Sequence, residues 1–400
     1  MGEKKLVPKR RFSGFDEEWI ENKLGDIIEI TMGHSPQSSN YTNNSSDYIL
    51  VQGNADIHRN KVCPRVWTTQ LTKQANKEDL IMTVRAPVGE IAKTDFNVVL
   101  GRGVAGLKGN DFIFYSLVKK KLDGYWTRLS TGSTFDSVNS YEIKDVDLLL
   151  PTEEEQQKIG ELFTILDERI ANQERKIAKV KALKDAYLTE MFPQEGETVP
   201  KRRFKGFEEE WKGIDLGSIG STFSGLSGKT KKDFGHGSAE FVTYMNVFNN
   251  TISDINNTER VIHDNKETQL KYGDILFTTS SETPDEVGMS SVWLNDRPNV
   301  YLNSFCFGFR SNIKIDYYFV GYLLRANEFR RKIEILAQGI SRYNISKSKV
   351  MELKVNLPSI KEQQKIGSFF KNLDNQIEME EKKLDKLQKM KEAYLEEMFV

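Results

Sequence analysis

The sequence predicts a mixed α/β (α+β) protein: two tandem domains, each closed by a long helix, with the two helices pairing as a coiled coil. Three observations predict it. Residues 7–27 (VPKRRFSGFDEEWIENKLGDI) return at 199–219 (VPKRRFKGFEEEWKGIDLGSI) with 14 of 21 positions identical. Residues 151–170 return at 358–377 with 11 of 20 identical, and AYLTEMF from Ala186 returns as AYLEEMF from Ala393. Between these frames the copies have largely diverged, as expected of duplicated modules that do one kind of job on two targets. A length of 400 residues suits two or three units at roughly 150 residues each, and the repeat makes that two. The boundaries it gives are a first domain at 1–150, a helix at 151–193, a linker at 194–198, a second domain at 199–357 and a second helix at 358–400.

In the first domain, runs rich in β-branched and aromatic residues at 48–51, 80–84 and 98–100 are bounded by Gly, Asn, Asp and Ser and predict strands; 112–122 predicts a helix. After Pro151, Thr152 stands three residues before Glu155, the capping-box spacing that opens a helix. Ile159, Phe163, Leu166, Ile170 and Ile177 then step by four and three with Gln173 in series, the period of a coiled coil. From residue 153 to 190 such a helix is about 57 Å long at about 1.5 Å per residue. A helix with one apolar stripe needs a partner, and the other copy supplies an equal stripe.

In the second domain, strands are predicted at 241–245, 275–279 and 300–309 and a helix at 317–336. KEDLIMT at 77–83 aligns with YGDILFT at 272–278, and FNVVLGRGVAGLK from Phe96 aligns with PNVYLNSFCFGFR from Pro298. The second tail repeats the start signal at Ser359 and Glu362 and the stripe at Ile366, Phe370, Leu373, Ile377 and Leu384.

Composition excludes several classes. No run of eighteen apolar residues is available to cross a membrane, and MGEKKLVPKRRF lacks the apolar core of a signal peptide, so the expected location is cytoplasmic. Two cysteines, Cys63 and Cys306, make neither a disulfide framework nor a cysteine zinc site and are expected to be buried; the four histidines are scattered, so no metal is expected. The net charge of −1 argues against a general basic field. Residues 1–150 nevertheless carry +1 and 199–357 carry +3, whereas the tails are acidic, so any nucleic-acid contact rests on local patches in the divergent domains.

Catalytic motifs fail on context. Gly101-Arg-Gly103-Val-Ala-Gly106 has the spacing of a dinucleotide fingerprint, but no long helix follows at once and the aligned NSFCFG keeps only the last glycine. Gly228-Lys229-Thr230 ends like a phosphate loop, yet Phe223 stands where that loop needs glycine. Glu142-Ile-Lys144 has a nuclease-like shape without a preceding Pro-Asp, and there is no Asn/Asp-Pro-Pro-aromatic or G-x-S-x-G element. The chain reads as a binder rather than an enzyme.

The doubled order of Trp19 and Trp211 ahead of Leu-Gly, the E-Q-Q-K-I helices and the A-Y-L-x-E-M-F endings resembles the specificity (S) subunit of Type I restriction-modification systems over essentially the whole chain. The resemblance implies two target-recognition domains separated by the two long helices as an antiparallel coiled coil about a pseudo-two-fold axis, each domain reading one half of a bipartite, asymmetric site in double-stranded DNA, with the helix pair setting the gap. It implies a non-catalytic subunit that docks two modification (methyltransferase) subunits and restriction (translocase/nuclease) subunits. It implies no cofactor in this chain, with S-adenosylmethionine, ATP and Mg on the partners and no membrane.

Base readout favours Arg or Lys on guanine and Asn or Gln on adenine, with Ser, Thr and main-chain amides on phosphate. The candidate contacts in turn-like stretches are Arg85, Arg102, Ser133 and Thr134 in the first domain. In the second they are Lys229, Lys231, Lys232, Ser280, Ser281, Ser341, Arg342 and Tyr343. The heptad residues named above are the expected coiled-coil and docking positions. The alternatives are a coiled-coil adaptor that binds proteins without DNA, and a self-sufficient enzyme.

Overall fold

The computed structural model describes residues 6–130 and 137–400. The chain packs as two compact units, one holding the residues up to Glu174 together with Lys382–Val400, the other Arg175–Glu381. The packing units cut across the sequence repeat: each long helix, Glu153–Glu190 and Ile360–Met398, gives one stretch to each unit.

In the first unit Leu80–Thr83 lies at the heart of a six-stranded sheet, antiparallel to Val104–Leu107 on one side and Ile91–Lys93 on the other. All four of its residues are buried, which is why the segment reads as a continuous apolar run and not as an alternation. A five-stranded sheet pairs Tyr48–Val51 parallel to Val98–Leu100. Val51, Ile81, Ala92, Val98, Leu100 and Val104 form one apolar cluster with residues from both sheets. A second core gathers Trp19, Phe112, Phe163 and Phe399, with ring centroids 5.5 Å apart for Trp19 and Phe112 and 5.3 Å for Phe112 and Phe399. Phe399 comes from the end of the second tail. Within this unit the two helices run antiparallel, since Phe163 meets Phe399 while Asp167, four residues on, meets Lys391, eight residues back.

The second unit repeats the plan. Cys306–Ser311 lies between Gly220–Ser224 and Asp274–Thr278, and the latter also pairs with Ser290–Trp293. Phe234–Val242 runs parallel to Val300–Leu302, as Tyr48–Val51 does to Val98–Leu100. Trp211, Phe319, Phe370 and Phe192 build the aromatic core, and Phe192 comes from the end of the first tail. Lys176–Glu380 and Lys184–Asp374 ion pairs again run in opposite directions along the two helices.

One departure from the sequence reading explains why both framing blocks repeat. Glu155 and Glu362 do not fold back on their own helix starts as a capping box. Instead the Glu155 carboxylate, fully buried, accepts from Arg11 Nε and Nη2 at 2.7 and 2.8 Å. Glu362, equally buried, accepts from Arg203 Nε and Nη2 at 2.7 Å each. Each PKRRF block is thus clamped to the start of a long helix by a bidentate pair, a geometry that suits the planar guanidinium. Tyr115 Oη donating to Asp167 (2.9 Å) and Tyr322 Oη donating to Asp374 (2.6 Å) tie the same helices to the domain helices.

Other differences have local causes. The helix expected at 317–336 is two, Tyr317–Leu323 and Asn327–Ile335. The break leaves Arg325 donating inward to the carbonyls of Ser290, Val247, Phe248 and Asn250. The strand expected at 241–245 ends at Val242, because the Thr243 hydroxyl accepts from Asn246 N (3.1 Å) and starts the helix Tyr244–Asn249. The run at 300–309 is split by a turn into Val300–Leu302 and Cys306–Ser311. Cys306 is buried and its thiol pKa is pushed up by that burial, but Cys63 is only half-buried, since it follows the two-residue strand Lys61–Val62 into a loop.

Candidate nucleic-acid interface

The strand ends that follow Val51, Thr83 and Leu100 converge in the first unit, because Val98–Leu100 pairs with Tyr48–Val51 and Val104–Leu107 pairs with Leu80–Thr83. Glycine makes the approach possible. A Cβ at Gly103 would lie 2.1 Å from the Gln52 carbonyl oxygen, and one at Gly33 would lie 2.0 Å from that of Gly101. The G-R-G stretch is therefore a close-packed turn between two strands, and Gly106 sits inside Val104–Leu107. This is the structural use of a spacing that mimics a nucleotide fingerprint.

At this convergence lies a concavity of about 230 Å³ lined by Ser35, Gln52, Asn54, Arg85, Arg102 and Gly103, among others. The structure brings together two of the predicted contacts, Arg85 and Arg102, both exposed and without an ion-pair partner among the described residues. Arg102 is steadied by Ser35, whose Oγ accepts from its main-chain N at 3.0 Å and from Nε at 3.4 Å. Gln52 Nε2 donates to Tyr41 Oη at 2.9 Å. The main-chain N of Gln52 donates to the buried carboxylate of Asp56 at 2.7 Å, which fixes the turn. No acidic residue among the described residues lines this concavity.

Sequence reasoning missed Ser35, Gln52 and Asn54. Gln52 directly follows a predicted strand, a signal of sorts, but nothing local says that residues 52–54 lie beside 101–103. Ser133 and Thr134 lie outside the described residues.

In the second unit the same main-chain bonds recur: Val84 N to Gly103 O becomes Thr279 N to Phe305 O, and Gly101 N to Val51 O becomes Asn303 N to Val242 O. Gln52, Arg85, Arg102 and Gly103 thus correspond to Thr243, Ser280, Ser304 and Phe305. The chemistry has changed. Phe305 is 55% exposed and Met245 52%, while the Arg342 guanidinium lies 5.8 Å from the centroid of the Phe305 ring. Ser341 and Arg342 are exposed, and Tyr343 pairs with Ser281 in a two-stranded ladder.

Three predicted contacts need correction. Ser280 and Ser281 are buried in that ladder, with the Ser281 hydroxyl donating to the Thr283 carbonyl, so their side chains are not offered to a ligand. Lys229 is largely covered and paired with Asp264 at 2.6 Å, holding that carboxyl below the usual range. Lys231 and Lys232 remain exposed on the short turn Lys231–Asp233. The helix positions Ile159, Phe163, Leu166, Ile366, Phe370 and Leu373 are buried in the two domain cores, Ile177 is buried, and Ile170, Ile377 and Leu384 are half-buried. The buried stripe is occupied within the chain.

Another concavity, about 910 Å³, has the wrong sign for DNA: Asp111, Glu153, Glu161 and Glu168 line it together with Lys108. Glu142, in the nuclease-like triplet, is used locally: its carboxylate accepts from Asn139 N at 2.7 Å in a helix cap. Among the described residues no group of acidic, His and Cys side chains has metal-site geometry, and no helix is long and apolar enough to cross a membrane.

The family described as Type I restriction modification DNA specificity domain matches residues 16–182 and 208–389. The chain belongs to this family. The putative type I restriction enzyme MjaX specificity subunit of Methanocaldococcus jannaschii is 30% identical over 178 residues, 42% of this chain and 41% of that protein. The MjaVIII specificity subunit of the same organism is 23% identical over 293 residues, 71% of this chain and 68% of that one. The match to the MjaX protein therefore spans under half its length. The S subunit structure from M. genitalium superposes with a TM-score of 0.60 at 16% identity, covering 99% of both chains. A chain from a type I R-M complex-assembly structure gives 0.57 at 17%, covering 96% of this chain and 98% of that one. The specificity-domain fold is thus present twice, as the doubled frame predicts.

Proposed function

We propose that this chain is the DNA-reading subunit of a Type I restriction-modification complex, each unit recognising one half of a bipartite, non-palindromic duplex site. The observation that carries the reading is that two units of one topology present different side chains at the same strand ends: Gln52, Arg85 and Arg102 in one, Thr243, Ser304 and Phe305 in the other, with Arg342 beside the Phe305 ring. Conserved frame with altered tips is what two readers of different sequences need. Membership in the specificity family supports it.

The chain itself is non-catalytic in this reading. Two modification subunits dock on the exposed faces of the long helices and bring S-adenosylmethionine; restriction subunits bring ATP and Mg. The antiparallel helix pairs set the unspecified gap, as half-sites one duplex turn apart are separated by about 34 Å. Arg85, Arg102, Lys231, Lys232, Ser341, Arg342 and Tyr343 remain the proposed contacts.

The test is domain exchange. Replacing residues 1–150 by the corresponding domain of another specificity subunit is expected to change one half of the methylated site, mapped in a genome carrying this chain and its partners. Change in both halves overturns the two-reader assignment. Duplex binding with a steep negative dependence on salt separates a DNA reader from a protein adaptor, which shows none.

A further inference from the structure

The concavity of the first unit contains an amide side chain, Gln52, whose hydrogen-bonding capacity is preorganised and, among the described residues, incompletely used. Gln52 is half-exposed, its main chain is pinned by Asp56, and its amide nitrogen is held by Tyr41 Oη. One Nε2 hydrogen is thereby engaged. The second hydrogen and the carbonyl oxygen Oε1 have no partner among the described residues, a donor beside an acceptor.

That pair matches one base. In the major groove adenine shows an acceptor (N7) beside a donor (N6), whereas guanine shows two acceptors, thymine an acceptor with a methyl group, and cytosine a donor. We propose that Gln52 is a specificity-determining residue that recognises an adenine edge in the half-site of the first unit, and that Tyr41 is its positioning residue. Arg102, raised on the turn between Gly101 and Gly103, and Arg85 flank it with donors only, suited to guanine or phosphate oxygens. A space of about 230 Å³ receives a base edge and not a whole duplex, so the contact is made by the tip of the unit.

The assignment rests on the DNA-reading function and goes beyond it by naming a base and the residue that reads it. It also predicts an asymmetry. The corresponding residue of the second unit, Thr243, spends its hydroxyl on capping Asn246 N, so this mode of adenine recognition belongs to one half-site alone.

The experiment is selection from a randomised duplex library by the full-length chain with its modification partners, for the parent and for Gln52→Ala, Gln52→Glu and Tyr41→Phe. The parent enriches a bipartite motif with an adenine in the half-site of the first unit. Gln52→Ala reduces preference at that position roughly ten- to hundredfold and leaves every position of the other half unchanged. Gln52→Glu, which keeps the side chain's shape, moves the preference toward cytosine, whose N4 donates to a carboxylate. Tyr41→Phe keeps the same letter but weakens its selection, with an unchanged melting temperature; a purely structural tyrosine would lower the melting temperature and leave the letter equally selected. An unchanged motif at unchanged affinity in both Gln52 variants overturns the assignment while leaving DNA reading intact. A parent chain that enriches no motif at all overturns DNA reading itself.

Discussion

Removing the Arg203 side chain tests what clamps the repeated frame. The Glu362 carboxylate is 1% exposed and receives two charge-assisted hydrogen bonds of 2.7 Å from that guanidinium. Arg203→Ala removes both while leaving the carboxylate buried. At roughly 1.5–3 kcal/mol for each hydrogen bond to a charged group the loss is about 3–6 kcal/mol, in line with roughly 3–5 kcal/mol for breaking a buried pair from one side. The double variant Arg203→Met, Glu362→Leu should recover most of this, because replacing both charges by apolar groups is often close to neutral. The assay is urea unfolding followed by circular dichroism. At a slope of roughly 2–3 kcal/mol per molar, the single variant moves the midpoint of the second unit's transition down by about 1–3 M. Single and double variants losing the same amount, or the single losing less than about 1 kcal/mol, would refute a clamp.

Three further outcomes follow from the same structure. Arg325→Met should destabilise the second unit by at least about 3 kcal/mol in chemical denaturation, since it strips donors from four carbonyls and leaves buried acceptors unpaired; burial already holds the pKa of this guanidinium below its ordinary value. Asp316→Ala should cost about 1 kcal/mol in chemical denaturation, because its carboxylate caps Tyr317–Leu323 by accepting from Phe319 N at 2.8 Å. Burial, with Asp167 and Asp374 beside them, holds the phenols of Tyr115 and Tyr322 well above their ordinary pKa of about 10. The unfolded chain releases these protons near pH 10 while the folded one keeps them, so stability present below pH 10 falls as pH rises above it, by about 1.4 kcal/mol per pH unit per tyrosine. Ultraviolet titration should find two tyrosines that ionise only on unfolding; normal titration of both, with the fold intact, contradicts their burial.

The sequence by itself determined the duplication, the long helices and the strands whose patterning is local. The long helices after Pro151 and Pro358 and the buried run at Leu80–Thr83 follow from apolar period and β-branched content. Tertiary structure decided what those signals are for. Glu155 reads as a capping residue from its spacing to Thr152, yet Arg11, 144 positions away, takes its carboxylate, because a bidentate cation outcompetes a main-chain amide for a buried anion. Arg102 was visible as an arginine between glycines, but Gln52 was not visible as its neighbour: only the parallel pairing of Tyr48–Val51 with Val98–Leu100 brings their strand ends together. Local propensity is written in residues a few positions apart, whereas a surface concavity is made by residues that the sheet register makes adjacent, and register is fixed by the whole core.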